Sequence, residues 1–337
     1  MQPKKILITG ASGFVGGRLL KSLTLSHSDA IVLGTGRRNE RQAEFAALGC
    51  QFETGDLVKF ADCARLAAGA DVIIHCAGLS SPWGTYPEFY DANVLSTLNL
   101  LQTAQEQGAR RFILISTPSV YFNFRDRYNI KESDPLPNPM VNNYAVTKYE
   151  AEQATLQLNR PDFETIALRP RAIIGAEDAV IFPRVLRAYY EGKLKIVGNG
   201  KNVVDLTCVA NLIHAVEKCL QADHAAFGEV YNISNGEPAP LWDSVGYLLK
   251  ALDLPPVTKK IPANVALGAA ALTEFIHRYF LNGREPALTR YSIGILSNSM
   301  TMDISKARTK LGYSPIQSTL EGINEFVAWY QTQNKSH

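Results

Sequence analysis

The chain has 337 residues, roughly twice an average domain, of which 46% are hydrophobic and 20% charged, with 17 Pro and 24 Gly; disordered, collagen-like and low-complexity classes are excluded. Lys and Arg number 34 and Asp and Glu 32, a net charge of +2, too balanced for a protein that holds nucleic acid or anionic membrane through bulk charge. The expected partner is a small molecule.

In chain order, Lys4–Thr9 is a short apolar run ending in a glycine-rich turn, and the helical spacing of Arg18–Leu25 follows. Ala30–Thr35, Gln51–Thr54, Val72–Cys76 and Phe112–Ser116 read as further strands, with helices over Glu40–Leu48 and Phe60–Ala67 among them. Alternating β and α units predict an α/β class with a parallel sheet covered on both faces. Long helices are predicted over Pro87–Gln107 and Asn143–Leu158, and these two also offer a pairing between subunits. After the strand Thr165–Leu168, Arg169-Pro170 breaks the rhythm. The chain therefore divides into residues 1–170 and a second lobe over 171–337, some segments of which return to the first sheet.

Ala263–Leu281 is Ala/Leu-rich but carries Glu274, His277 and Arg278, so it is not expected to span a membrane. It also lacks a polar stripe through its length. It should be buried, line an apolar pocket, or rest peripherally on a membrane or partner. Leu320–Tyr330 reads as a closing amphipathic helix. Cys50, Cys63, Cys76, Cys208 and Cys219 are widely spaced, without a C-x-x-C pair or clustered His, so reduced packing residues and no metal are expected. Met1-Gln-Pro-Lys-Lys followed by Ile6-Leu7-Ile8 holds no cleavable apolar region, which points to the cytoplasm.

Gly10, Gly13 and Gly16 form G-x-x-G-x-x-G after the first strand and at the opening of the first helix. Glycine permits the tight turn and lets backbone N–H groups approach a pyrophosphate at the positive helix end, so a dinucleotide is expected there. Ser12, Phe14 and Val15 share that turn and join the cofactor-binding set. The second strand ends Gly34-Thr-Gly-Arg37-Arg38, with no acid for a ribose 2′-hydroxyl and two guanidinium groups suited to a 2′-phosphate. NADP(H) is expected over NAD(H), which stays possible; a solvated basic loop is the other reading of Arg37 and Arg38. Asp56 and Leu57 fall near the adenine, and Cys76, Ala77 and Gly78 where backbone passes close to cofactor, although both stretches also suit ordinary turns.

Tyr144 and Lys148 stand at i and i+4, on one face of a helix. A cation beside the phenol favours phenolate and lowers a pKa of about 10, which suits proton exchange with a carbonyl or alcohol. Tyr189 and Lys193 satisfy the same spacing, but Gly192 predicts that their helix is ending. The context of Tyr144 differs, because it follows a strand whose end carries Ser116, Thr117 and Ser119 at the carboxyl edge, where open α/β sheets bind ligands.

Gly10-x-x-Gly13-x-x-Gly16, Asp56-Leu57, His75-Cys-Ala-Gly78, Asn93, Ser116-Thr117, Tyr144-x-x-x-Lys148, Arg169-Pro170 and Ser305-Lys-Ala…Leu311-Gly-Tyr-x-Pro315 together resemble an extended short-chain dehydrogenase/reductase over essentially the whole chain. The resemblance implies a Rossmann-type doubly wound parallel sheet with a smaller C-terminal substrate lobe. It implies Tyr144 as acid/base, Lys148 as ribose ligand and pKa tuner, and Thr117 as hydrogen-bond donor to the reacting oxygen, with Ser116 the second choice. Asn93, Ser116 and Pro170 fall beside the cofactor; Asn93 reads equally as a proton-relay residue or a helix-start residue. A homodimer formed by the two long helices is implied as well.

Pro118-Ser119 follows Thr117 where the family's dehydratases carry Asp-Glu, which disfavours water elimination. The arginine that grips diphosphate in nucleotide-sugar epimerases is absent from the stretch Gly198–Val209, where Lys201 is a partial substitute. Ser116–Val120, Leu168–Arg171, Lys201–Thr207 and Asn232–Glu237 instead resemble the 3β-hydroxysteroid dehydrogenase-like branch, which contains reductases of 2-alkyl-3-oxoalkanoate-type β-keto acids and sterol dehydrogenases. The implied activity is NADP(H)-dependent interconversion of a ketone and a secondary alcohol on a bulky apolar substrate. Sterol oxidation, nucleotide-sugar epimerisation and a non-catalytic dinucleotide-binding role are the alternatives. Trp83, Ser119 and Arg171 join Thr117 and Tyr144 as candidate substrate contacts, with Arg171 facing a carboxylate or else held in a structural salt bridge.

Overall fold

The computed structural model describes residues 3–281 and 283–334. Its centre is a seven-stranded sheet of β1 (Lys5–Thr9), β2 (Ile31–Gly36), β3 (Gln51–Thr54), β4 (Val72–His75), β5 (Arg111–Ile115), β6 (Glu164–Pro170) and β7 (Glu229–Ile233). The order is β7-β6-β5-β4-β1-β2-β3, and every pairing is parallel. The strands read as unbroken apolar runs because both faces are covered. Side chains alternate between two cores: Ile6, Ile8, Val72, Ile74 and Ile113 lie on one side, and Leu7, Ile73, Phe112 and Leu114 on the other. Strand order reverses between β1 and β4, so a crevice opens at their carboxyl ends.

Five helices matter for the site: α1 (Phe14–Ser26), α2 (Ser96–Glu106), α3 (Asn143–Gln157), α4 (Ala263–Phe280) and α5 (Arg290–Ser297). The predicted helix over Pro87–Gln107 is not continuous. A short α-turn, Tyr86–Phe89, runs into a π-helical stretch, Tyr90–Leu95, before α2 begins. The Ser96 N–H reaches back to the Asp91 carbonyl, and the Ser96 and Thr97 hydroxyls donate to the carbonyls of Ala92 (2.7 Å) and Asn93 (2.5 Å).

Segments on either side of residue 170 interleave. Helix Val209–Gln221 and β7 pack on or extend the central sheet. Conversely, strand Arg127–Ile130 joins Met300–Met302, Val203–Val204 and Ala239–Pro240 in a separate four-stranded sheet.

Ala263–Phe280 is one helix, but core burial, one of its expected places, is not what the fold gives it. Only Ala266 and Ala270 are buried, against Val197 and Ile293 of α5. Val265, Leu272, Phe275, Tyr279 and Phe280 are 54–71% exposed. Small side chains make the close approach, with Leu267 packed partly against the same seam, and most of the large ones are left outside. Among the described residues no helix is long and apolar enough to cross a membrane, and no cluster suited to a metal occurs. All five cysteines are free, four of them buried.

Candidate active site

The glycine turn joins β1 to α1. Gly10 has φ +69°, and a Cβ there would lie 2.7 Å from the Ala77 nitrogen; one on Gly16 would lie 2.4 Å from the Gly10 carbonyl oxygen. No side chain fits at either position, so the backbone itself forms a cradle. Gly13 caps α1 without a side-chain hydrogen bond, leaving the first-turn N–H groups around Phe14 and Val15 for an anion. These features fit a dinucleotide pyrophosphate. Gly36, at the end of β2, packs on Ser12, whose Oγ would be 2.5 Å from an added Cβ.

Beyond β2 a cleft of about 440 Å³ is lined by Arg37, Thr54, Gly55, Asp56, Asp62 and Arg65. Arg37 is exposed and makes no hydrogen bond with any described residue. Arg38 approaches Glu40 at 3.8 Å in solvent. Asp56 caps the Val58 N–H (3.3 Å), whereas the Leu57 side chain, expected at the cofactor, is in the core because the chain turns inward there. Arg41, which carries no motif, is held by Glu44 and Glu177 and donates to the Gly13 carbonyl at 3.4 Å.

A buried strut backs this turn. Thr9 Oγ1 shares a 2.7 Å hydrogen bond with His75 Nδ1 and accepts the Ala77 N–H; His75 Nε2 meets Thr97 Oγ1 at 3.0 Å. Burial lowers the His75 imidazole to about 3 and raises the Cys76 thiol to about 12, so both are neutral. Asn93, on the π-helical stretch, accepts the Leu79 N–H (2.7 Å) and donates to the Leu79 carbonyl and to Thr147 Oγ1 (3.1 Å). Its amide is used up in fixing the loop after β4 to α3, and it shapes the cleft through Gly78, where a Cβ would lie 2.8 Å from Asn93 Oδ1.

Tyr144 and Lys148 share a face of α3, whose start is capped by Asn142 accepting the Ala145 N–H at 2.9 Å. The ammonium of Lys148 donates to the Ile115 carbonyl at 2.7 Å, and burial lowers its pKa to about 8. The Tyr144 phenol lies in electrostatic reach of the Thr117 and Ser80 hydroxyls, which favour its charged form, yet burial outweighs both and raises its pKa. The expected lowering by Lys148 is not among the influences on the phenol; burial comes first. Thr117 donates to Ser119 Oγ (3.1 Å), which meets the Tyr291 hydroxyl of α5 at 2.7 Å.

The neighbouring Ser116 side chain is not at the cofactor cleft. It is turned inward and donates to Glu152 (2.7 Å), part of a buried network with Arg169 and the Tyr121 hydroxyl. Strand alternation makes this unavoidable once Thr117 faces the crevice. Pro170 ends β6 opposite Ile233. Trp83 donates its indole N–H to the Gly283 carbonyl (2.7 Å) beneath the Arg278 guanidinium, so it ties the loop after β4 to the end of α4. Arg171 is buried and forms none of the ion pairs among described residues, so the structural salt bridge is not there. Helix Ile181–Tyr190 ends before Lys193, which pairs with Glu191 in solvent, and Gly192 has φ +66°. Ser80 and Tyr291, absent from the sequence-based set, complete a chain of hydroxyls around Tyr144 that can donate to a carbonyl oxygen and pass it a proton.

Residues 6–234 match the NAD dependent epimerase/dehydratase family. The chain is 33% identical to the 2-alkyl-3-oxoalkanoate reductase of Shewanella oneidensis, over 95% of this chain and 85% of the relative. It is 31% identical to the decarboxylating sterol-4-alpha-carboxylate 3-dehydrogenase of Saccharomyces cerevisiae, over 96% and 97%. Its fold is similar to UDP-glucuronic acid 4-epimerase from Bacillus cereus in complex with NAD, with a TM-score of 0.76 at 24% identity, covering 97% of this chain and 99% of that one. The chain belongs to the NAD dependent epimerase/dehydratase family of extended short-chain dehydrogenases/reductases and is an NAD(P)-dependent oxidoreductase.

Proposed function

We propose that the protein interconverts a ketone and a secondary alcohol on a bulky apolar substrate of the 2-alkyl-3-oxoalkanoate type, with NADP(H) preferred. The observation that carries this reading is the convergence at the carboxyl edge of the sheet of the bonded Thr117, Ser119 and Tyr291 hydroxyls with α3, whose Lys148 reaches the Ile115 carbonyl and whose Tyr144 lies in electrostatic reach of Thr117. A bound nicotinamide would supply or accept the hydride. Thr117 and Ser80 hold the reacting oxygen, and Tyr144 gives it the proton in reduction or takes one in oxidation. Lys148, released from Ile115, would hold the ribose and set its charge against the phenolate.

The preference for the phosphorylated cofactor rests on Arg37, exposed on the adenosine cleft, and on the absence of an acid at Gly36. The small sheet with α4 and α5 is assigned to the substrate lobe, with Trp83 and Ser119 on its near wall. The exposed Leu98 and Tyr86, on and beside the π-helix and α2, are assigned to a homodimer interface with α3; a monomer by light scattering at micromolar concentration would remove that assignment. The central test follows nicotinamide absorbance with purified protein and three substrate classes. Turnover of a β-keto or β-hydroxy acid or a sterol is expected, and turnover of a UDP-sugar alone would sink the proposal.

A further inference from the structure

Three arginines are buried among the described residues: Arg111, Arg169 and Arg171. Arg111 is paired with Glu164 and donates to the carbonyls of Cys219 and Leu220. Arg169 is paired with Glu152 and bonded to the Tyr121 hydroxyl. Arg171 is only 8% exposed, yet its guanidinium makes no hydrogen bond and no ion pair with any described residue, and its Nε is both out of contact with solvent and without a partner.

Its backbone is not free to move the charge elsewhere. The Arg171 N–H donates to the Ile233 carbonyl (3.0 Å) and to Thr207 Oγ1 (3.0 Å), and the Thr207 hydroxyl donates to the Arg171 carbonyl at 2.6 Å. A guanidinium does not shed its proton to escape burial, unlike a lysine. A buried, unpaired one is costly and calls for an anion.

The surroundings say where that anion would sit. The electrostatic neighbours of Arg171 are Asp205 and Tyr291. Asp205 is buried but lies beyond ion-pair distance, with Oδ2 accepting the Met302 N–H at 2.7 Å. Tyr291 is bonded to Ser119, which is bonded to Thr117, and it lies in electrostatic reach of Tyr144. The lone guanidinium, one residue beyond the carboxyl end of β6, is therefore within electrostatic reach of the Tyr291 end of the hydroxyl chain.

We propose that Arg171, with the Tyr291 hydroxyl beside it, seats a substrate carboxylate close to the reacting carbon, so that the enzyme selects oxo- and hydroxy-acids over neutral ketones and alcohols. This rests on the ketone–alcohol reading of the same site. The seat forms charge-assisted hydrogen bonds to the carboxylate oxygens and breaks no bond.

The test uses one 2-alkyl-3-hydroxyalkanoic acid and its methyl ester as matched probes, with oxidation followed at the nicotinamide. The wild type should favour the acid in kcat/KM by on the order of 10²-fold, and Arg171→Gln should remove that preference by raising KM for the acid far more than for the ester. Tyr291→Phe should move the ratio in the same direction by less. Arg171→Lys, which keeps a charge, should retain part of the preference if Arg171→Gln does not fold.

Equal wild-type use of acid and ester overturns the carboxylate seat and leaves the ketone–alcohol reading standing. So does an equal loss on both probes in a folded Arg171→Gln. Failure of the wild type on both probes and on sterols instead overturns that underlying reading.

Discussion

The Lys148 ammonium and the Ile115 carbonyl, 2.7 Å apart, latch the helix that carries Tyr144 to the strand that delivers Thr117. The bond is made at the expense of a buried charge whose pKa has fallen from 10.5 to about 8. An unfolded chain would therefore hold more protons on this lysine between pH 8 and 10.5, and the charge costs stability below that window.

Lys148→Met should accordingly raise the melting temperature of the cofactor-free protein at pH 7 and flatten the gain in stability as pH rises from 8 to 10.5. The same substitution should raise KM for the cofactor and lower kcat. Calorimetry across pH alongside steady-state kinetics checks both halves. A melting temperature unchanged or lower at pH 7 would count against the account of Lys148.

Tyr144→Phe keeps the ring and removes the proton, so kcat should fall by on the order of 10² or more with cofactor affinity nearly intact. Lys193→Met should leave turnover alone, since that side chain pairs with Glu191 in solvent beyond the end of its helix. Wild-type turnover in Tyr144→Phe would end the mechanism.

Arg37→Ala removes a charge-assisted contact worth about 1.5–3 kcal/mol to a 2′-phosphate, so KM for NADPH should rise by roughly 10- to 100-fold while KM for NADH stays near its starting value. Equal changes for the two cofactors would reduce Arg37 to a loop residue.

Leu272→Glu places a charge on an exposed position of α4 and should change stability by less than about 0.5 kcal/mol. Ala270→Leu, on the seam against Val197 and Ile293, should cost about 1–3 kcal/mol by overpacking. Thermal denaturation of the two variants tests which face of α4 docks; reversed magnitudes would mean the seam lies elsewhere.

The glycine turn and the Tyr144–Lys148 pairing were legible because their geometry is local. Gly10, Gly13 and Gly16 sit within one turn, and Tyr144 and Lys148 within one helical turn, so spacing alone brings them together. The π-helical stretch Tyr90–Leu95, where Asn93 accepts the Leu79 N–H, was not legible, since no residue pattern distinguishes one widened turn inside a helical run. Tyr291 reaches Ser119 across 172 residues and belongs to no motif. Whether Arg171 is paired depends on where Asp205 falls in the fold, and an apolar count over Ala263–Leu281 does not say which side of the helix meets the protein.

Thr9, His75 and Thr97 give the floor of the cofactor seat a property of its own. With the imidazole held neutral down to about pH 3, no member of the chain changes charge anywhere near neutrality. The floor is electrically silent, and its geometry stays constant while Lys148 titrates above it. A pH dependence of dinucleotide affinity near pH 8 then points to Lys148 and away from this floor, and binding isotherms at several pH values for the wild type and Lys148→Met would show it.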